Sequence, residues 1–309
     1  MGQVVVNRPR PQKRSASVGA PLRVLHGPAA ESAAGAVDHP AHWTRPHVRT
    51  IVIASGKGGV GKSNLAANLS VALGECGARV LLVDADFGQA NLDLLLGATP
   101  RFDLQHLLAG QKTPEEIVVA GPRNVRLMPA ASGVPELAEL DDVRREILLR
   151  GISQLEADSD LVILDTASGV GRNVTSFCLA GDEVVVVTTP ELPAFSDAYG
   201  LIKLLQRQGM TRTPRLVVNL ADTPEEAEET AHRIRLVARR FLHLDVDSWG
   251  FIPYDPRVAR AVRRQEPVVT AYPQSPAALA YRALARRMWA ASEPDPSAGT
   301  EPAPERLEA

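Results

Sequence analysis

No stretch of this chain approaches the ~18 consecutive apolar residues of a membrane-crossing helix. The N-terminus also lacks the apolar core of a signal peptide. Both absences lead us to expect a cytoplasmic, non-spanning protein. Cysteine is scarce: Cys76 and Cys178 lie far apart, in neither a CxxC nor a metal-ligand spacing. That argues against a disulfide or cluster role and leaves two buried thiols in a reducing compartment as the expectation. The seven histidines form no HExxH and no triad-like spacing, so none is assigned a role. An excess of one charge is missing too. With 34 Lys and Arg against 36 Asp and Glu, the formal net charge of −2 offers nucleic acid or anionic lipid no global attraction. Aromatics make up only 4% and hydrophobic residues 45% of the 309 positions, which suits one large α/β domain with tails. There is no internal repeat.

What is present is a glycine loop with two lysines: Gly56-Lys57-Gly58-Gly59-Val60-Gly61-Lys62-Ser63. The spacing G-x-x-x-x-G-K-[ST] lets backbone N–H groups approach phosphates, while the last Lys and Ser serve the β/γ-phosphates and Mg²⁺. Gly56, Gly58, Gly59, Val60, Gly61, Lys62, Ser63 and Asn64 are therefore candidate nucleotide contacts. The context fits. Thr50-Ile51-Val52-Ile53-Ala54 reads as a buried parallel strand, and Leu65, Leu69 and Leu73 mark one face of a following helix, whose N-terminus attracts anions. A cradle of this length needs no second cation for its own nucleotide. Lys57 is thus free to reach another molecule's phosphates, which points to an ATPase active as a face-to-face dimer.

From Thr50 onward, apolar strands alternate with amphipathic helices. This predicts an α/β fold, a doubly wound, mostly parallel sheet with helices on both faces, in a single domain spanning 48–291. Strands are expected at 50–54, 79–84, 125–129, 160–165, 183–189, 214–219 and 247–252. Helices are expected near 62–76, 141–157, 172–180, 196–209, 224–242, 256–264 and 276–290, the last capped by Ser275 with Pro276 in its first turn. Residues 1–47 read as a disordered arm and 292–309 as a disordered, acidic, Pro-rich tail. Ligands of such sheets gather at the carboxyl ends of strands. There Val80–Val83 ends in Asp84-Ala85-Asp86, and Leu161–Leu164 ends in Asp165. Mg²⁺ takes one or two carboxylates with phosphate oxygens and water. The expected metal set is Ser63 directly, with Asp84 and Asp165 holding metal-bound waters, and Asp86 orienting the attacking water. Lys62 would hold the β/γ oxygens within one subunit. Lys57, crossing to the partner, would act in the manner of an arginine finger.

Lys57 with Lys62, the stretch from Asp84 through Asn91 to Asp93, and Asp165 together resemble the deviant-Walker ATPases of the MinD/ParA superfamily, over about residues 50–290. Four further stretches resemble its MinD-like flagellar number regulators (FlhG, also called FleN or YlxH). They are Asp103–Gly110, Gly121–Gly133, Thr188–Glu191 and Ser196–Lys203. The resemblance implies ATP and Mg²⁺ as ligands and an ATP-driven monomer–dimer switch limiting the number or placement of flagella. It also implies partners: an FlhF-like GTPase, flagellar switch-ring proteins and a flagellar transcription activator. Matched position by position, Lys57 is the signature lysine, Asp86 the water-orienting aspartate, and Asn91 the asparagine of the first switch. Asp165 is the second-switch aspartate, Asn219 the adenine-side amide, and Pro253 with Asp255 falls in the base-lining loop.

The chain departs from that pattern in three places. Thr166-Ala167-Ser168-Gly169 carries a polar Ser168 in the second switch. The N-terminal arm lacks the Asp-Gln-Ala…Leu-Arg element that stimulates FlhF. The C-terminus does not end in a basic amphipathic helix: Tyr281, Leu284 and Met288 make a stripe that reads as a core face, so the end of the chain gives peripheral attachment to the inner membrane no support. Two arginine clusters remain. Arg233, Arg235, Arg239 and Arg240 suit the basic end of a helix that begins with acid; Arg257, Arg260, Arg263 and Arg264 leave DNA contact open. A DNA-, pilus- or cargo-positioning ATPase and a scaffold with little turnover are therefore alternatives. An electron-transfer reductase lacks its paired cysteines.

Overall fold

Eight strands share one sheet in the computed structural model, which describes residues 48–131 and 140–290. The expected arm, the expected tail and the Ser132-Gly133 end of one family-like stretch lie outside the described residues. The strands are β1 Arg49–Ser55, β2 Val80–Ala85, β3 Val119–Ala120, β4 Val125–Met128, β5 Leu161–Ser168, β6 Glu183–Thr188, β7 Arg215–Ala221 and β8 Asp247–Pro253. Their order across the sheet is β3-β4-β2-β5-β1-β6-β7-β8, and every pairing is parallel except β3 with β4.

The central strands are unbroken runs of Val, Ile and Leu because both of their faces are covered. On one side Ile51, Ile53, Leu82, Ile163 and Val185 pack with α1 (Lys62–Glu75), α10 (Val268–Ala271) and α11 (Pro276–Ala290). On the other, Val52, Leu81, Val162, Val184 and Val218 pack under α5 (Asp142–Glu156), α6 (Arg172–Ala180), α7 (Leu192–Arg207) and α8 (Pro224–Leu242). The mostly parallel, doubly wound sheet expected from the alternation is the observed architecture.

All seven expected strands are present. β5 runs on to Ser168, three residues past its expected end at 165, through a bulge described below. The two-residue β3 and the short helices α2 (Leu92–Leu96), α3 (Leu104–Leu108), α4 (Pro114–Ile117) and α10 were not expected, since four or five residues carry no readable period. α7 starts at Leu192 rather than 196, because Pro193 is accommodated in its first turn, where no intrahelical N–H bond is needed. α8 keeps its expected ends: the Thr223 hydroxyl accepts from Glu226 N at 3.2 Å, and Arg239 and Arg240 close the last turn. Ser275 caps α11 by accepting from Ala278 N at 3.2 Å, and the Tyr281–Leu284–Met288 stripe is buried against the α1 side. Cys178 is fully buried as expected, but Cys76, one residue past α1, is only partly covered.

Candidate nucleotide site

The loop between β1 and α1 turns at two glycines with positive φ, Gly59 at 81° and Gly61 at 85°, a region that side chains rarely enter. Gly61 also has no room to spare: a Cβ there would lie 2.2 Å from Asn219 Nδ2. At the other end of the loop, a Cβ on Gly56 would lie 2.1 Å from the Asp197 carbonyl of α7. The loop is therefore wedged between β7 and α7.

The two lysines have separate fates. Lys62 is buried, its Nζ 2.7 Å from Asp165 Oδ1. Lys57 is at the rim, its Nζ 2.7 Å from Glu191 Oε2, with about a third of the side chain exposed. Sequence reasoning missed Glu191 as a partner, because only the tertiary fold sets the end of β6 beside the loop.

Asp84 and Asp165 face each other in register on β2 and β5. Burial raises the Asp84 carboxyl to about 7, with the Asp165 charge adding to the rise, while backbone hydrogen bonds oppose it. Those bonds come from Leu92, Asp86 and Asn91: Oδ1 accepts from Asp86 N at 3.1 Å, and Oδ2 from Asn91 N at 3.1 Å and Leu92 N at 3.2 Å. Asp84 thus pins the loop that carries Asp86 and Asn91. Burial also raises Asp165, against the pull of Lys62 and Ser63 beside it. Asp86 is half-exposed, near enough for its charge to act on Asp165, and its Oδ1 accepts from Gln89 N at 3.1 Å.

Three of the buried oxygens without a hydrogen-bond partner among the described residues belong to this site: Asp165 Oδ2, Asn91 Oδ1 and Asn219 Oδ1. Buried polar atoms are normally satisfied, so these mark places for ligand groups. Asp165 Oδ2 beside Ser63 suits a hard cation with oxygen ligands. Among the described residues no group of three or more His, Cys, Asp or Glu is arranged to hold a metal alone. Asn219 donates from Nδ2 to the Val60 carbonyl at 2.7 Å, which leaves Oδ1 as a bare acceptor.

Beside Gly59 and Gly61 opens a cavity of about 430 Å³. Asn64, Asn219 and Pro253 line it, as do Tyr254, Arg263 and Tyr281, which sequence reasoning had not placed there. Tyr281 had been read only as part of a core stripe; it is buried and also walls this cavity. The first α1 turn, the β7 end and the loop after β8 therefore build a pocket next to a phosphate cradle.

Fold and site together define a P-loop nucleotide-binding protein. The sequence matches the CobQ/CobB/MinD/ParA nucleotide binding domain over residues 51–268, and the chain belongs to that family. It is 40% identical to the antiactivator FleN of Pseudomonas aeruginosa over 242 residues, 78% of this chain and 86% of that protein. The flagellum site-determining protein YlxH of Helicobacter pylori is 32% identical, over 71% of this chain and 74% of its own length. Among solved structures, the cell division ATPase MinD of Pyrococcus furiosus superposes with a TM-score of 0.67 at 31% identity, over 79% of this chain and all of that one. The septum site-determining protein MinD of Pyrococcus horikoshii, complexed with Mg-ADP, gives 0.67 at 31% identity, over 82% and 98%. The resemblance read from the motifs is thus borne out at the level of the family and of its flagellar members.

Proposed function

We propose that this chain is an ATP-hydrolysing switch that pairs face to face when loaded with ATP and Mg²⁺, and that the pairing regulates flagellar number or placement. The observation that carries the reading is the division of labour between the lysines. Lys62 is sunk in its own site, whereas Lys57 stands at the rim on an ion pair with Glu191 whose opening would let it reach a second copy's phosphates. Likeness to FleN and YlxH supports the flagellar part.

Phosphoryl transfer depends on positioning and charge neutralisation. Backbone N–H groups of Gly58–Ser63 cradle the phosphates, and Lys62 leaves Asp165 to hold the β/γ oxygens. Ser63 would hold Mg²⁺ directly, Asp84 and Asp165 would hold metal-bound waters, and Asp84 anchors the loop that follows β2. Asp86 orients the attacking water, Asn91 signals nucleotide state through the first switch, and Asn219 with Pro253 receives the base. Lys57 of each protomer neutralises its partner's triphosphate, which makes turnover slow without pairing and open to stimulation. The chemistry of the family implies an FlhF-like GTPase, switch-ring proteins or a transcription activator as the reader of the paired state.

Asp86→Ala tests the switch. It should abolish ATP turnover while ATP·Mg²⁺ traps dimers; a strictly monomeric Asp86→Ala protein under saturating ATP·Mg²⁺ overturns the reading. Deleting the gene tests the flagellar part separately, since unchanged flagellation beside normal turnover removes that part alone.

A second reading, DNA positioning by the same engine, rests on Arg260 and Arg263 of α9 (Pro256–Arg263), which are exposed and carry no ion pair among the described residues. The other cluster argues against it, because Arg233, Arg235 and Arg239 are paired with Glu229, Glu228 and Asp245. A mobility shift on arbitrary duplex DNA with ATP at low salt would support this reading, and no shift removes it.

A further inference from the structure

Ser168 is placed over the phosphate loop by an irregularity in β5. Along the β1–β5 pairing Ile53 opposes Asp165, yet Ser55, two residues on, opposes Ser168, three residues on. Strand side chains alternate between faces, so residues three apart normally point to opposite sides. One extra residue in β5 reverses that alternation and re-aims the side chain that follows. Both ends of the bulge are tied down. Thr166 Oγ1 donates to the Ile53 carbonyl at 3.0 Å, and Gly169 N donates to the Ser55 carbonyl at 2.8 Å. The outcome is a Ser168 hydroxyl 3.4 Å from where a Cβ on Gly58 would stand. Ser168 is exposed, and its hydroxyl makes no hydrogen bond to any described residue.

The position along the loop matters. The cavity borders Gly59 and Gly61 on the β7–β8 side of β1, while Ser168 stands at the end of β5, on the opposite side of β1. A nucleotide with its base in that cavity would run its phosphates along the loop towards β5, which would bring the phosphate farthest from the base nearest Ser168 and leave a diphosphate short of it.

Resting on the nucleotide-binding reading above, we propose that the Ser168 hydroxyl is an additional phosphate ligand. It donates a hydrogen bond to the terminal phosphoryl oxygens and makes the site prefer a nucleoside triphosphate over the diphosphate. Lysines supply charge without direction; a hydroxyl fixed by the bulge supplies direction.

The test is a pair of affinities, for AMP-PNP·Mg²⁺ and for ADP·Mg²⁺, measured by titration calorimetry. They are measured in a Lys57→Ala background, so that coupling to pairing does not enter. Ser168→Ala should weaken AMP-PNP about tenfold, as for loss of one hydrogen bond to a charged group, with ADP unchanged. Ser168→Thr, which keeps the hydroxyl, should restore the ratio. An unchanged AMP-PNP affinity in Ser168→Ala, or an equal loss for both nucleotides, overturns the proposal. Failure of the unsubstituted chain to bind either nucleotide instead overturns the nucleotide-binding reading on which it stands.

Discussion

Lys57 Nζ and Glu191 Oε2 lie 2.7 Å apart within a single chain, so the cation assigned to a partner's nucleotide is occupied in cis. The proposed pairing would require this ion pair to open. An exposed pair is worth only about 0.2–1 kcal/mol, so it would act as a weak latch. Glu191→Gln should raise the dimer fraction at a given AMP-PNP concentration by up to about fivefold, read by light scattering. A lower dimer fraction would mean that Glu191 serves the interface itself.

Val170 and Leu192 leave the ends of β5 and β6, the strands on either side of β1 and its loop, and they are 53% and 73% exposed. Apolar groups so exposed on both flanks of a cationic rim suit burial against a second copy. A charge introduced there by Leu192→Asp or Val170→Asp should abolish AMP-PNP-dependent dimers on gel filtration. Persistence of dimers in both variants would rule out this face.

Asn219 clamps the Val60 carbonyl through Nδ2 and leaves Oδ1 bare beside the cavity. An acceptor there matches the 6-amino group of adenine and opposes the 6-oxo group of guanine. Asn219→Ala should lower ATP affinity about tenfold and narrow the preference over GTP. Competition binding that leaves the ATP-to-GTP ratio at its wild-type value would remove the residue from base selection.

The buried Asp84 carboxyl is raised to about 7, whereas an unfolded chain releases that proton near ~3.9. Between those values the folded state holds more protons than the unfolded state, so this group's contribution to stability falls as pH rises from about 4 to about 7. A carbon NMR titration of the ligand-free protein should place the Asp84 midpoint near 7; an ordinary carboxylate midpoint would refute the burial argument.

The loop, the helix after it and the strand-end aspartates were legible because each is encoded by neighbours in the chain. Gly56–Ser63 has a fixed spacing, and Asp84 and Asp165 each close an apolar run. Tyr254, Arg263 and Tyr281 were not legible as cavity walls, since they come from a loop and two helices that meet only after the sheet is assembled. The short α2, α3, α4 and α10 were missed for a simpler reason: a single turn has no period to read.

Local order alone determined the parallel sheet, the phosphate cradle and the identity of the two lysines, because apolar periodicity and glycine spacing act over a few residues. The pairing of Lys57 with Glu191 and the turn of Ser168 towards Gly58 were decided by tertiary structure. Each depends on which strands become neighbours and in what register. A one-residue bulge in β5 reverses which way a side chain faces, and no local pattern in the chain announces it.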